Sequence, residues 1–434
     1  MPHARVAPAI AWSDWTNAAA RARELDCPIL LLLETHWSRA SLGLAAVLES
    51  ASADVSAPVG AVAVTIDAER RPDLADRYGF GEWPSAAFLT PGGRLFGGGA
   101  PESPAEFLDL LGKVDEAWRT RRSEIERGQN GAPPEAVDSP DTQETSLDDV
   151  RLLVARQDDS APAAIDWIID TLIDPDDGGV RRRAGAAEKL LMRNADVLDL
   201  LVHAAALFGA SRYVEAARGV ARFVASNLTR VDGAFKASVA GGAAGIRGTG
   251  APGPIIDSTL LTDANAAMVS SMVQAGAVLE EPAFAEAAIA ALERTVLVSY
   301  KPGDGVGHVA EDPSVRGLLT DHVRLAEALL HAHEASARIP YEMLAEELLH
   351  HCCRAMWDVP GGGFFDRADP DDPLKPFELN CRAARVLARA AAESGEPIFE
   401  DRAQATLAAL QAGPRPRGAE AAALALALVA RGIK

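Results

Sequence analysis

Cysteine is scarce. The 434 residues hold four, Cys27, Cys352, Cys353 and Cys381, too few for a disulfide framework in a chain of this length. Cys352 and Cys353 are adjacent. Their Cα atoms lie ~3.8 Å apart, below the usual ~4.4 Å or more of a disulfide. Reduced thiols in a reducing compartment fit this usage, and the cytoplasm is the expected location. Long apolar runs are missing too. No stretch of ~18 apolar residues occurs, and the opening MPHARVAPAIAWSDW has no signal-peptide core, so neither a span nor a leader is expected. Positive charge is in deficit. A formal net charge of -20 keeps a protein soluble and repels phosphate backbones and anionic surfaces, which argues against nucleic acid and membrane as partners. Metal-binding spacings are absent: there is no H-E-x-x-H and no paired C-x-x-C. His331 and His333 are two apart on a helical stretch and face different ways, and His350 and His351 are no chelating pair. Neither a metal nor a cofactor is expected. Gly241 to Gly253 is glycine-rich, but no G-K-[ST] follows. The pattern is not that of a P-loop, and a flexible loop able to act as a lid is expected.

What is present divides the chain in two. Residues 1–126 alternate strand and helix signals. Pro28 to Glu34 and Val59 to Ile66 are continuous apolar runs suited to strands buried on both faces. Ser38 to Ser52 has helical spacing. Ser85 to Thr90 and Arg94 to Phe96 are short strands split by the turn Pro91-Gly92-Gly93. Ser103 to Arg122 closes the unit as a helix, with Ser103 as N-cap and Pro104 at its first position. The order is β-α-β-α-β-β-α. Residues 127–146 are rich in Pro, Gly and polar residues and are expected to be a linker.

From residue 147 to 434 the pattern is all-α. Twelve helices are expected, at 147–157, 161–173, 183–193, 195–208, 211–228, 262–280, 283–299, 318–337, 340–357, 378–394, 397–412 and 417–432. Tight turns alternate with long loops at 229–261, 300–317 and 358–377. Starts at 262, 318 and 378 are 56 and 60 residues apart, a repeat of helical hairpins whose apolar faces cover one another. Six hairpins close an (α/α) toroid; an open solenoid of the same hairpins is the structural rival. In a toroid all the long loops share one end. Asp263 with Asn265, Asp321 with His322, and Glu378 with Asn380 would stand at that end. The three acids either complement helix dipoles or line a funnel.

Thr35-His36-Trp37-Ser38-Arg39 follows the first long strand and opens a helix. A thioredoxin-like domain places C-x-x-C there, because the helix N-terminus lowers the first thiol's pKa. Hydroxyls at Thr35 and Ser38 cannot form a disulfide and are weak nucleophiles without an adjacent base. Trp83-Pro84 precedes the third expected strand, Ser85 to Thr90, where such a fold holds a cis-proline at Pro84. These motifs occur in order with Trp12, Trp15, Cys27-Pro28-Ile29, Ile66-Asp67-Ala68-Glu69-Arg70-Arg71-Pro72-Asp73, Gly81-Glu82-Trp83-Pro84 and Phe88-Leu89-Thr90-Pro91. The series resembles the spermatogenesis-associated, thioredoxin-like family, whose pattern runs C-H-W-C-H, V-D-x-E-x-R-P-D, G-G-W-P, F-L-T-P and G-G-T-Y. Gly361-Gly362-Gly363-Phe364-Phe365-Asp366 and Leu319-Thr320-Asp321-His322 are similar to the second half of that family more loosely. Both family cysteines are replaced here, and G-G-T-Y is Gly97-Gly98-Gly99-Ala100. The resemblance implies a thioredoxin-like domain followed by a six-hairpin toroid similar to acylglucosamine epimerase and glycoside hydrolase barrels.

Three readings follow. The first is a carbohydrate-binding or carbohydrate-active toroid beside a redox-inactive module. Asp263, Asp321, His322, Asp366 and Glu378 are the catalytic candidates, and Asn265, Trp357, Phe364, Phe365 and Asn380 the substrate-binding ones. Carboxylates can act as acid and base, and aromatics can platform sugar rings. The second is a non-catalytic scaffold that holds a protein partner in the cis-proline groove at Trp83. The third, a thiol oxidoreductase using Cys27, has no second thiol near that residue.

Overall fold

The computed structural model describes residues 11–50, 60–128, 146–240, 254–368 and 374–432. The chain forms two compact units, residues 1–143 and 144–434. The expected linker and the glycine-rich 241–253 loop fall almost wholly outside the described residues.

In the first unit β1 (Ala11–Trp12), β2 (Ile29–Glu34), β3 (Val62–Asp67), β4 (Ser85–Leu89) and β5 (Leu95–Gly99) form one sheet, in the order β1-β3-β2-β4-β5. The pairs β1–β3 and β2–β3 are parallel, while β2–β4 and β4–β5 are antiparallel. The run PILLLLE is apolar because both faces of β2 are covered. Ile29, Leu31 and Leu33 pack with Ala18 and Ala22 of α1 (Trp15–Leu25) and with Leu74 and Tyr78 of α3 (Pro72–Tyr78). Leu30 and Leu32 pack with Leu44 of α2 (Arg39–Ser50) and with Phe107 and Leu111 of α4 (Pro104–Arg127). The unit is thus helix, sheet, helix. β1 and α1 precede the elements expected from the sequence. A two-residue strand has no periodicity to detect, and α1 buries only two alanines.

The second unit contains α5 (Leu147–Ala155), α6 (Ala161–Leu172), α7 (Leu191–Phe208), α8 (Ser211–Phe223, prolonged by a π-turn to Leu228), α9 (Thr262–Val278), α10 (Pro282–Ser299), α11 (Leu319–Ser336), α12 (Ile339–Ala355), α13 (Phe377–Ser394), α14 (Pro397–Ala412) and α15 (Gly418–Val429). The helices α5, α7, α9, α11, α13 and α15 each pack on the next, and α15 packs back on α5. The ring is closed, so the open solenoid is excluded. α6, α8, α10, α12 and α14 lie outside it. Two expectations are corrected. Residues 183–193 are not a separate helix, since 183–190 are not helical and 191–193 open α7: the described residues hold eleven helices here, as five hairpins and a sixth inner helix. Nor is the region all-α. β6 (Glu188–Leu190), β7 (Ser238–Ala240) and β8 (Ile255–Asp257) form one small sheet, and β9 (Tyr300–Lys301), β10 (Gly305–Val309) and β11 (Asp312–Arg316) another.

One device recurs at the start of four inner helices. Asn194, Asn265, His322 and Asn380 each occupy the fourth helical position and are fully buried. Each side chain reaches back to the carbonyl four residues earlier, at Leu190, Leu261, Leu318 and Pro376. Each also accepts a backbone N–H from the preceding loop, at Val180, Phe235, Val306 and Phe364. Those loop residues pair in turn with the residue that ends the preceding outer helix, as Ile173–Val180, Thr229–Phe235, Tyr300–Val306 and Trp357–Phe364. One side chain therefore ties an outer helix, its loop and the next inner helix together. Close approach demands glycine nearby. Gly363 has φ 79°, and a Cβ there would stand 3.1 Å from Asn380 Oδ1; a Cβ on Gly305 would run into the His322 ring.

His322 donates through Nδ1 to Leu318 and accepts at Nε2 from Val306, so its neutral form fits the contacts. Burial, opposed by the Leu318 carbonyl, pushes its pKa down to about 3. Removing an asparagine staple strands buried backbone groups, so Asn265→Ala and Asn380→Ala should each cost about 1–3 kcal/mol in chemical denaturation. His322→Asn should keep the tie. Between about pH 6.5 and 3 the unfolded chain binds a proton at His322 that the folded chain refuses. Stability must fall as pH falls through that window, and His322→Asn should flatten this acid limb in melts taken across it.

Candidate functional site

The staples fix the rotation of each inner helix. Two, five and nine residues past the staple, side chains point to the axis of the ring. On α7 these are Asp196, Asp199 and His203; on α9, Ala267, Ser270 and Gln274. On α11 they are Arg324, Glu327 and His331; on α13, Arg382, Arg385 and Arg389. The offsets equal i, i+3 and i+7 on one helical face. Together with Arg151 of α5 and Arg431 beyond α15 they line a central cavity of about 660 Å³. Side-chain exposure rises along α7 from 21% at Asp196 through 28% at Asp199 to 53% at His203. This wall opens toward the C-terminal ends of the inner helices.

The lining is ionic. Arg151 contacts Asp196 at 2.9 Å and Asp199 at 3.3 Å, as well as Asp148 on its own helix. Arg382 binds Glu327 at 2.7 Å. Burial alone would raise the Glu327 carboxyl, but Arg382 and Arg385, with His331 and Arg324, hold it at about 2. Asp196 and Asp199 are likewise held below the usual carboxylate range against burial, Asp196 chiefly by Arg151 and Asp199 by His203 and Arg151. His331 is pushed below the ordinary histidine value by burial and then by Arg389. Its Nδ1 is buried and makes no hydrogen bond among the described residues. At neutral pH the cavity wall thus carries fixed carboxylates, fixed guanidiniums and an uncharged imidazole.

The residues singled out in the sequence lie elsewhere. Asn265, His322 and Asn380 spend their polar atoms on the backbone ties above, and Phe364 is the loop residue that Asn380 holds. Trp357 packs edge-on against Phe364 with Arg402 over its ring, and Phe365 lies beneath Lys375. Glu378 is exposed in the first turn of α13. Burial, with Asp148 and Glu420 near it, raises its carboxyl. The Asp366 backbone accepts from Leu319 and donates to Leu374. None of these lines the central cavity. Asp263 and Asp321 do meet, through a residue the sequence reading passed over. His308 of β10 donates through Nδ1 to Asp321 Oδ1 at 2.9 Å and stands 3.9 Å from Asp263 Oδ1. Donor atoms of this trio lie within 4.8 Å of one another, which is close enough to share a metal ion. Asp321 is fully buried, and its carboxyl is raised by burial against the pull of His308.

In the first unit Thr35, Trp37 and Ser38 are buried, and Ser38 Oγ donates to the Trp83 carbonyl at 2.8 Å. The Trp83–Pro84 peptide is cis. His36 is exposed, with Nε2 3.1 Å from Asp67 Oδ2. All four cysteines are free and buried, and burial raises the Cys27 thiol.

Among the described residues Glu327 is the one carboxylate that Arg382 contacts. Glu327→Ala should cost about 2 kcal/mol or more in denaturant melts, because the guanidiniums beside it are left uncompensated in a closed ring. The loss should shrink in high salt.

No family model and no curated protein matches the sequence, so the family resemblance rests on the motifs alone. Solved structures do match. A sugar epimerase from a ruminal bacterium aligns with a TM-score of 0.53 at 12% identity, over 67% of this chain and 88% of that one. The cellobiose 2-epimerase of Bacillus thermoamylovorans aligns with 0.54 at 8%, over 66% and 87%. A GH76 α-mannanase from Bacteroides thetaiotaomicron aligns with 0.52 at 13%, over 67% and 84%. The likeness is one of fold, the six-hairpin glycosidase-like (α/α) toroid.

Proposed function

We propose that the second unit binds a carbohydrate in its central cavity and moves a proton on it, as sugar epimerases and isomerases do, and that the first unit is a thioredoxin-like module without dithiol chemistry. The observation that carries the first part is the uncharged His331 in a wall of fixed charges. Hydrolysis of a glycosidic bond needs a carboxyl kept protonated to serve as acid. The cavity carboxylates Asp196, Asp199 and Glu327 are all held ionised by arginine or histidine neighbours. A neutral imidazole suits removal of a proton next to a carbonyl, and nearby guanidiniums suit the enediolate that forms. His203, at the matching level of α7, is placed to handle a proton from another side. In this reading Asn265, His322 and Asn380 are positioning residues. Asp263, Asp321, Asp366 and Glu378 belong to the loop end and not to the chemistry.

Support for the second part is the strand order β1-β3-β2-β4-β5, the cis Trp83–Pro84 peptide and its tie to Ser38. Hydroxyls at Thr35 and Ser38 leave no redox pair, and the full chain should not reduce insulin.

The test is solvent exchange. Aldoses and ketoses incubated with the full chain in heavy water should take up deuterium at the carbon beside the carbonyl, read by NMR. His331→Gln should lower that rate by about 10²-fold or more. The rate should hold its plateau to pH values below about 6.5 before falling, because the imidazole must lose its proton first and does so below the ordinary histidine value. Absence of both exchange and thermal stabilisation with every sugar tried would sink the reading.

A further inference from the structure

The cavity carries more positive than negative charge inside a strongly acidic chain. Six arginines line it against four carboxylates, Asp196, Asp199, Glu327 and Glu400, while the whole chain carries a net charge of -20. Most of these arginines are paired. Arg151 holds Asp196 and Asp199, Arg382 holds Glu327, Arg389 holds Glu334 and Glu393, and Arg431 holds Glu400. Arg324 and Arg385 are different. Neither makes an ion pair or a hydrogen bond among the described residues. They stand on adjacent inner helices, α11 and α13. Both feel Arg382, and burial with that like charge pulls each pKa below the usual arginine value.

Glu327 acts on both electrostatically, with Asp196 on Arg324 and Asp199 on Arg385, but no carboxylate among the described residues is in contact with either, and a buried guanidinium without a contacting anion is costly. Guanidinium forks match planar or tetrahedral oxyanions through paired N–H donors. From this geometry, and resting on the carbohydrate reading above, we propose that the ligand is a sugar bearing an oxyanion, a phosphate or a carboxylate, which Arg324 and Arg385 grip from α11 and α13. Because His331 is seven residues beyond Arg324 on the same face of α11, the anion would hold the far end of the sugar while its carbonyl end lies by the imidazole.

The experiment measures dissociation constants of the full chain by calorimetry for glucose, glucose 6-phosphate, glucuronate and inorganic phosphate. Mannose, mannose 6-phosphate and mannuronate form a second series. At least one charged sugar should bind about tenfold or more tightly than its neutral parent, and whichever of phosphate or uronate wins names the source of the charge. In Arg324→Gln with Arg385→Gln that advantage should vanish, the charged sugar then binding no more tightly than its neutral parent binds the same variant. Circular dichroism confirms that the double variant is folded, and the charged-to-neutral ratio of the wild type needs no variant at all. Equal or weaker binding of every charged sugar, with neutral sugars bound, would overturn the oxyanion grip and leave the carbohydrate reading standing; the two arginines would then face the enediolate of a neutral sugar. Inorganic phosphate bound as tightly as any sugar phosphate, lost in the double variant and with no neutral sugar bound, would keep the grip and remove the carbohydrate. No binding of phosphate or of any charged sugar would overturn the grip outright.

Discussion

The second unit depends on a side chain that satisfies backbone in two places at once. A long loop entering a buried helix end brings polar N–H and C=O groups into a region without water, and those groups need partners. Asn194, Asn265 and Asn380 provide donor and acceptor from one amide, and His322 does the same with its two ring nitrogens. The tie also fixes helix rotation. Once the fourth residue of an inner helix is anchored to the loop behind it, the residues two, five and nine places on can only face the axis. Scaffold and cavity wall follow from one constraint.

That constraint explains which parts of the chain could be read in advance. The strands of the first unit are apolar on both faces, and PILLLLE announces its burial. Repeating hairpins were legible from Ala- and Leu-rich periodicity, but the ring was not: the same hairpins also suited an open solenoid, and only the packing of α15 on α5 closes it. The break placed at residue 194 was not a break. Helices were expected to end at 193 and begin again at 195, whereas Asn194 lies inside the first turn of α7 and points backward. The small sheets went unseen because strands of two to five residues in loops carry too little pattern of their own.

The cavity was hidden for a related reason. Polar residues at inner-helix starts looked like the lining because they are amides, carboxylates and a histidine at one end of a barrel. Those amides and His322 are spent on backbone, and the lining begins one turn deeper. Its signal is present in the sequence: charged residues at i, i+3 and i+7 on helices whose other positions are buried, such as Arg324, Glu327 and His331. A helix covered on both sides by neighbours has no solvent face, so a charged stripe on it must look into an internal space. His308 escaped notice because it lies on a strand of a loop, and only the folded chain brings it to Asp321.

The separation of tie from stripe has a consequence for how such a protein can change. The backbone ties at the helix starts and the positions that face the interior do not overlap, although each set dictates where the other lies. Substitutions along the stripe rewrite the inner surface without touching the joints, much as text can be changed on a page whose binding is sewn elsewhere. The ring can therefore wander through different ligand chemistries while its architecture stays put, and sequences can diverge greatly before the fold notices.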